Sequence, residues 1–309
     1  MLGVVNALKV ALQGPSQARA MHRSALSRGA GIVDSIRRLE KICPGDRATD
    51  REAPIFLLSA GWRSGSTLLQ RLLMSGPGVL IWGEPYDECG LVQSLAQAMR
   101  PFREGWPPTD YLYDGRPTTD LTGEWIANLF PSLTAWRSGQ RALFDTMYAE
   151  PAHHAGALNW GIKEVRLTVE HCHYLRWIYP NARFVFLLRH PLDAYRSYVR
   201  YGRSWYDTFP DHPVFTPSVF GDHWGRVADG FKRDAATLNA LVIKYEDLVN
   251  GSFNLSQLER HLGFKLDPNV LARKIAGTSD GAEIPVNRLE RWLLKRAVGE
   301  AAAHFGYKW

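Results

Sequence analysis

The sequence predicts an α/β fold, with one domain built on a mostly parallel central sheet flanked by helices and a helical extension before it. Short continuous apolar runs, typical of strands buried on both faces, alternate along the chain with segments of helical spacing. A glycine-containing loop joins the first such strand to the first such helix, as in P-loop-like nucleotide-binding folds. The 309 residues, 45% hydrophobic and 22% charged, are typical of a soluble globular chain with one large core.

Residues 1–50 are expected to form a basic helical extension, and residues 51–309 the main domain. The first 33 residues contain four Lys or Arg and no acidic residue. Transit peptides share that composition, so a transit peptide stays an alternative to an extension lying on the domain. Ile32–Ile42 has helical apolar spacing, and Pro44-Gly45 is expected to end that helix.

Three strand candidates are strong and two are weaker. The strong ones are Ile55–Leu58, Arg183–Leu188 and Leu241–Tyr245, and the weaker ones are Ala142–Phe144 and the region 160–163. Helical spacing follows the first strand at residues 68–73 and the second at Leu192–Arg200. Residues 101–120, 204–222 and 277–285 are expected to be long surface loops, which often serve as lids or binding loops.

Charge and cysteine content limit the function classes. The net charge of +6 suits an anionic small molecule as well as nucleic acid or a membrane surface. The scattered cysteines predict neither a disulfide framework nor a metal site, and His171 and His173 lack the spacing of a helical ligand pair. No apolar window is long enough for a transmembrane segment, so the default expectation is a cytoplasmic protein.

The loop after the first strand has the composition of an anion-binding loop. Gly61 and Gly65 permit close approach of the backbone to a phosphate, and Arg63 adds a planar cation. The loop's hydroxyl donors are Ser64, Ser66 and Thr67. The alternative is an ordinary Gly/Ser turn that caps the following helix.

A second basic segment follows the strand at residues 183–188. This strand ends in Arg189, where a magnesium-dependent phosphotransferase would need an acidic residue. The first loop also departs from the Walker motif, since Ser66 stands where that motif has lysine. Arg189 and Ser197 are spaced to hold one phosphate between a loop and a helix. The two basic segments together therefore indicate one ligand with two separated anionic ends.

These segments resemble the sulfotransferase superfamily, which uses 3′-phosphoadenosine 5′-phosphosulfate (PAPS). The run FLLSAGWRSGSTLL at 56–69 is similar to the family's 5′-phosphosulfate loop, and RFVFLLRHPLDAYRS at 183–197 to its 3′-phosphate segment. KYEDLV at 244–249 and Gly161-Ile162-Lys163 resemble two further elements. The order and separation of the four elements agree across residues 54–309.

The resemblance implies a binding role for several residues. Arg63, Ser64, Gly65, Ser66 and Thr67 would hold the 5′-phosphosulfate, and Arg189 with Ser197 the 3′-phosphate. Tyr245 would lie near the adenine, the alternative being that it merely ends a core strand. PVNRLERW at 285–292 resembles a closing loop whose Arg291 reaches the nucleotide, although its spacing departs by two residues. No metal is expected to be required.

The resemblance also implies the chemistry. Sulfuryl transfer needs a base for the acceptor hydroxyl and positive charge at the leaving phosphate oxygen. Lys163, assisted by Arg63, would supply the charge. The cytosolic branch places a histidine where this chain has Val165, so the resemblance is closer to the branches that use a glutamate. Glu84 is then the expected base, with Glu164 as the alternative.

The acceptor is expected to be a hydroxyl on a carbohydrate or glycolipid, because eleven tryptophans offer flat faces that stack on sugar rings. A peptide tyrosine and a small alcohol remain open, and so does the oligomeric state. PAP, the 3′,5′-diphosphate, would be the product, and no nucleic acid partner is expected. Two other interpretations are a P-loop-type nucleotide-dependent kinase and a non-catalytic nucleotide- or anion-binding module.

Overall fold

Five parallel strands form the central sheet, in the order β2-β3-β1-β4-β5. A computed structural model describes residues 31–45, 47, 50–84, 90–200, 214, 216–272 and 285–309. The strands are β1 Ile55–Ser59, β2 Val79–Trp82, β3 Asn159–Glu164, β4 Arg183–Leu188 and β5 Ala240–Lys244. The chain winds to one side of β1 through β2 and β3 and then to the other side through β4 and β5. Such a reversal leaves a crevice at the carboxyl ends of the central strands, where ligands bind in open α/β sheets.

Helices cover both faces of the sheet. They are α1 Ile32–Ile42, α2 Ser66–Leu73, α3 Leu91–Gln97, α4 Leu133–Phe144, α5 Glu150–His154, α6 Val169–Ile178, α7 Pro191–Arg200, α8 Pro217–Leu238, α9 Tyr245–Val249, α10 Leu255–Leu262, α11 Arg288–Val298 and α12 Ala301–His304. The side chains of β1 pack alternately into two hydrophobic clusters, one on each face of the sheet. Phe56 and Leu58 belong to one cluster, and Ile55 and Leu57 belong to the other. This alternation explains why the strand is apolar throughout.

The predicted α/β class is confirmed, and so are the three strong strand candidates, which become β1, β4 and β5. Residues 160–163 lie in β3 as predicted. The predicted strand Ala142–Phe144 is wrong, because these residues form the last turn of α4. Ser132 caps the start of that helix, and its hydroxyl accepts the Ala135 N–H. A run of three apolar residues is too short to distinguish a strand from a buried helical turn.

Strand β2 was not predicted from the sequence. Val79 and Ile81 are buried while Leu80 and Trp82 are partly exposed, as is usual at the edge of a sheet. Four residues give too short a pattern to identify a strand alone. Its importance is positional, because its carboxyl end leads directly to Glu84.

Helix α1 is confirmed with the predicted bounds. It packs against α6, and its buried residues Ile32, Ile36 and Leu39 belong to the same core cluster as Phe56 of β1. Residues 1–30 lie outside the described residues, so the basic extension and its division from the domain at residue 50 stay predictions.

The predicted loops have different outcomes. Residues 101–120 are irregular apart from short 3₁₀ turns, Thr109–Tyr111 and the start of Thr118–Gly123. The predicted loop 204–222 extends too far, because α8 begins at Pro217, where the Thr216 hydroxyl caps it by accepting the Val219 N–H. Residues 201–213 and 273–284, which include most of the other predicted loop residues, lie outside the described residues. No helix among the described residues has the length and apolar character needed to cross a bilayer.

Candidate functional site

The loop between β1 and α2 has a strongly curved backbone. Gly61, Arg63 and Gly65 all have positive φ angles, of 80°, 61° and 84°, and arginine adopts such an angle only where its surroundings impose it. Left-handed residues at alternate positions turn successive backbone N–H groups toward a common concavity that suits an anion. The Ser64 hydroxyl, which is fully buried, braces this curve by donating to the Gly61 carbonyl at 2.7 Å.

The end of the loop meets the third sequence element directly. Gly65 precedes α2, and a Cβ added to it would lie closer than 3.0 Å to the Tyr245 ring. The N–H groups of Ser66 and Thr67 belong to the first turn of α2, where a helix supplies no acceptor of its own. Thr67 is exposed there and Ser66 is buried. The loop therefore brings helix N–H groups, hydroxyls and an aromatic face to one place.

Two basic segments far apart in the chain are in direct contact. Arg63 donates from Nε to the Ser197 hydroxyl at 3.1 Å, and Arg189 donates from a terminal nitrogen to the Arg63 carbonyl at 2.9 Å. Ser197 comes from α7, which begins at Pro191, and Arg189 from the end of β4. The structure thus brings into contact the two segments that the sequence predicts to bind anions, and their binding role stays a prediction.

Arg189 is held from two further sides. Its guanidinium carbon lies 4.7 Å from the centre of the Tyr245 ring, a distance suited to cation–π attraction. The Trp224 indole N–H donates to the Arg189 carbonyl at 3.2 Å. Tyr245 itself begins α9 and does not end β5 as the predicted strand Leu241–Tyr245 had it. Its ring therefore lies in the crevice between the loop and Arg189.

The carboxyl end of β4 is also tied to the last residues of the chain. The Glu246 carboxylate accepts the His190 backbone N–H at 2.8 Å and the Tyr307 hydroxyl at 3.0 Å. The His190 imidazole Nε2 lies 2.7 Å from the Lys308 carbonyl oxygen. These contacts fix the residue that follows Arg189. Sequence reasoning missed Trp224 and Tyr307, since neither lies in a recognisable motif.

A second group of charges lies at the ends of β2 and β3. The Lys163 ammonium is ion-paired with Oε1 of Glu84, and Nη1 of Arg166 lies 3.7 Å from Oε2 of the same carboxylate. Both cations are almost fully buried, whereas the Glu84 side chain is 27% exposed. Trp82 pairs with Ile162 in the parallel register, so Glu84 lies near the carboxyl end of β3, beside Lys163.

Glu164, the alternative base, has different surroundings. Its side-chain oxygen accepts the backbone N–H groups of Val165 at 2.9 Å and Arg166 at 3.1 Å. Burial raises the pKa of this carboxyl to about 7, and the nearby charge of Glu84 contributes to the increase. The residue is only 5% exposed. It therefore braces the turn after β3 and is far less accessible than Glu84.

Two other sequence expectations concern Arg291 and metal binding. Arg291 lies exposed in α11, and its contact with a nucleotide stays a prediction. Among the described residues there is no group of three histidine, cysteine or acidic side chains close enough to hold a metal ion. Sequence reasoning missed Arg166, although a second cation three residues after Lys163 at a strand end was the available signal.

The fold is a parallel α/β sheet with cations at the carboxyl ends of its central strands. Residues 54–268 match the model of the sulfotransferase family, so the chain belongs to that family, as the sequence motifs predicted. Membership assigns transfer of a sulfuryl group to an acceptor as the general activity. No curated protein matches the chain.

Solved structures with a similar fold include two sulfotransferases. The sulfotransferase domain from the curacin biosynthetic pathway is 18% identical with a TM-score of 0.46, and the similarity covers 84% of this chain and 99% of that one. The sulfotransferase STF9 from Mycobacterium avium is 15% identical with a TM-score of 0.44, covering 89% of this chain and 82% of that one.

Proposed function

We propose that the protein transfers the sulfuryl group of PAPS to an acceptor hydroxyl and releases PAP. The observation that carries the proposal is the contact of Arg63 with Ser197 and of Arg189 with the Arg63 backbone. Two cations from distant segments meet at the carboxyl edge of a parallel sheet, which is where an anionic nucleotide binds in such folds.

The described residues suit the two anionic ends of PAPS. The curved loop and the first turn of α2 offer N–H groups for the 5′-phosphosulfate, and Arg63 adds charge. Arg189 and Ser197 are the proposed ligands of the 3′-phosphate. Tyr245, which packs against Gly65 and under Arg189, is proposed to border the adenine. Neither end needs a metal ion to balance its charge.

The proposed chemistry is an in-line displacement at sulfur. Glu84 accepts the proton of the acceptor hydroxyl, whose oxygen forms a bond to sulfur. The bond between sulfur and the bridging phosphate oxygen breaks, and its electron pair remains on the phosphate of PAP. Lys163 and Arg63 stabilise the negative charge that develops on that oxygen.

Glu84 is favoured over Glu164 as the base because of access. An acceptor must reach the carboxylate, and Glu84 is 27% exposed, whereas Glu164 is buried and its oxygen is occupied by two backbone N–H groups. A base also needs a free lone pair directed at the substrate. Glu164 is therefore proposed to have a structural role only, which is to stabilise the turn at the end of β3.

The proposed acceptor is a hydroxyl of a carbohydrate or glycolipid. Aromatic side chains are exposed along the irregular segment between α3 and α4, with Trp125 78% exposed and Trp106 and Tyr113 also accessible. Flat aromatic faces of this kind stack on sugar rings. A peptide tyrosine or a small alcohol stays the alternative acceptor.

The test is transfer of radiolabelled sulfate from PAPS to a panel of glycan, glycolipid, phenol and peptide acceptors. We expect one glycan or glycolipid class to be labelled, and Glu84→Gln to lower turnover about 100-fold or more while PAP still binds. PAP binding measured by calorimetry should need no added magnesium. Strict dependence on magnesium would favour a kinase, and PAP binding without labelling of any acceptor would favour a non-catalytic module.

A further inference from the structure

The Glu84 carboxylate lies between two buried cations, and the proposed reaction needs only one of them at the donor. We propose that Arg166 is a positioning residue, which holds Glu84 in the site when Lys163 leaves it for PAPS. The Lys163–Glu84 ion pair is then the resting state of the empty enzyme, and donor binding opens it. This inference rests on the proposed function and adds a residue to it.

The two cations approach different oxygens of the carboxylate. Lys163 contacts Oε1, and Arg166 approaches Oε2 with Nη1 at 3.7 Å. One cation can therefore leave without disturbing the other. Arg166 follows the end of β3. Its backbone N–H donates to the Glu164 carboxylate, which holds the main chain of Arg166 at the strand end, close to Glu84.

The side chains of Lys163 and Arg166 differ in shape and flexibility. A lysine ammonium is a compact charge on a flexible stem, whereas a guanidinium is planar and broad. Lys163 can turn from Glu84 toward the bridging oxygen of a bound donor. The Arg166 side chain is only 4% exposed, so its broad guanidinium has little room to leave Glu84. Both cations are almost fully buried, so the proposed division of roles rests on the shape and flexibility of the two side chains.

The energetic reason is the cost of an unpaired charge. Removing one partner of a buried ion pair is strongly unfavourable because the remaining charge has lost both water and its counter-ion. Glu84 is mostly buried, so it would oppose the departure of Lys163 if Lys163 were its only cation. With Arg166 at Oε2, the carboxylate remains paired when Lys163 moves. Arg166 should therefore favour donor binding through Glu84, without touching the nucleotide.

The test is a double-mutant cycle on the affinity for PAP, measured by calorimetry without an acceptor. Glu84→Gln should tighten PAP binding several-fold, because Lys163 is then released before the nucleotide arrives. Arg166→Met should weaken binding about tenfold in the wild-type background. In the Glu84→Gln background the same change should alter affinity less than twofold.

Two variants control for charge and folding. Arg166→Lys keeps a cation beside Glu84 and should restore most of the affinity that Arg166→Met loses. Arg260→Met removes one positive charge at the opposite edge of the sheet, where Arg260 lies with Asn159 and Arg183, the first residues of β3 and β4. It should leave PAP affinity unchanged.

Each failure has a separate meaning. Equal weakening by Arg166→Met in both backgrounds would overturn the inference, since it would indicate direct contact with PAP or a general structural role. Failure of Arg166→Lys to restore affinity would contradict it too. If the wild-type protein binds no PAP at all, the donor proposal itself fails, and the inference fails with it.

Discussion

The two sides of the candidate site are held together by different forces. On the side proposed to bind the nucleotide, called the donor side, Arg63 contacts a hydroxyl, and Arg189 contacts a carbonyl and an aromatic ring. At the ends of β2 and β3, where the acceptor is proposed to lose its proton and which is called the acceptor side, Lys163 and Arg166 both face the carboxylate of Glu84. The donor side is therefore held together by backbone shape and by contacts of arginines with neutral partners. The acceptor side is held together by ion pairs. The first should respond to changes of shape and the second to changes of charge and pH.

The largest effect is expected at Gly65, where the donor side depends most on shape. Gly65→Ala places a Cβ against the Tyr245 ring at a residue with φ of 84°, so either the loop or the ring must move. PAP affinity, measured by calorimetry, should fall about 100-fold or more, corresponding to ~3 kcal/mol. Gly139→Ala is the matched control, because no atom lies within 4 Å of its added Cβ. Retention of wild-type affinity by Gly65→Ala would show that the loop is not shaped as described.

The second effect concerns charge on the acceptor side. The pKa of Glu164 is raised from an ordinary 4.5 to about 7, so the unfolded chain releases this proton at lower pH than the folded chain. The free energy of unfolding should therefore fall as pH rises from about 4.5 to about 7, by up to ~1.4 kcal/mol per pH unit. Glu164→Gln keeps an oxygen for the two backbone N–H groups and should remove this fall. The measurement is denaturant unfolding of both proteins across that range, and parallel curves would contradict the prediction.

The third effect concerns Ser197 on the donor side, which contacts Arg63 and is also a proposed ligand of the nucleotide. Ser197→Ala removes the hydroxyl that accepts from Arg63 and is proposed to bind the 3′-phosphate. We expect PAP affinity to fall about tenfold, since the hydrogen bond of this hydroxyl to the charged 3′-phosphate is lost, whereas its bond to Arg63 is present already in the free protein. Ser197→Thr retains the hydroxyl and should recover most of that affinity. An unchanged Kd for Ser197→Ala would mean that the nucleotide does not reach this helix.

The smallest effect is expected at the chain's end. Tyr307→Phe removes the hydroxyl that donates to Glu246, but the His190 N–H continues to hold the same carboxylate. PAP affinity should therefore fall only about two- to threefold, with a stability loss of ~1 kcal/mol. Thermal unfolding and calorimetry on one preparation measure both. A loss as large as that of Gly65→Ala would mean that the last residues form part of the donor side.

The fold was largely predictable because β1, β4 and β5 contain continuous apolar runs. The buried strands β1 and β4 could be identified with nearly correct bounds, whereas the edge strand β2 is short and alternates in burial. The apparent strand at Ala142–Phe144 shows the limit of a three-residue pattern, since these residues continue a helix that is capped ten residues earlier.

The candidate site was predictable where a motif surrounds the residue. Arg63, Arg189 and Ser197 lie in recognisable segments, and the structure brings them into contact. The pairing of Glu84 with Arg166 depends instead on the register of β2 beside β3. A single sequence does not reveal which strands are neighbours, so a cation contributed by the adjacent strand end could not be assigned to its carboxylate.

The central claim is that one nucleotide bridges the Arg63 loop and Arg189, and its most direct test compares two ligands that differ only in the 3′-phosphate. Calorimetry without magnesium would measure PAP and adenosine 5′-phosphate on the wild-type protein and on Arg189→Ala. We predict that the variant weakens PAP by about 30-fold and adenosine 5′-phosphate by less than about threefold, because a charge-assisted contact is lost only from the former. Equal losses for both ligands would contradict the assignment of Arg189 to the 3′-phosphate.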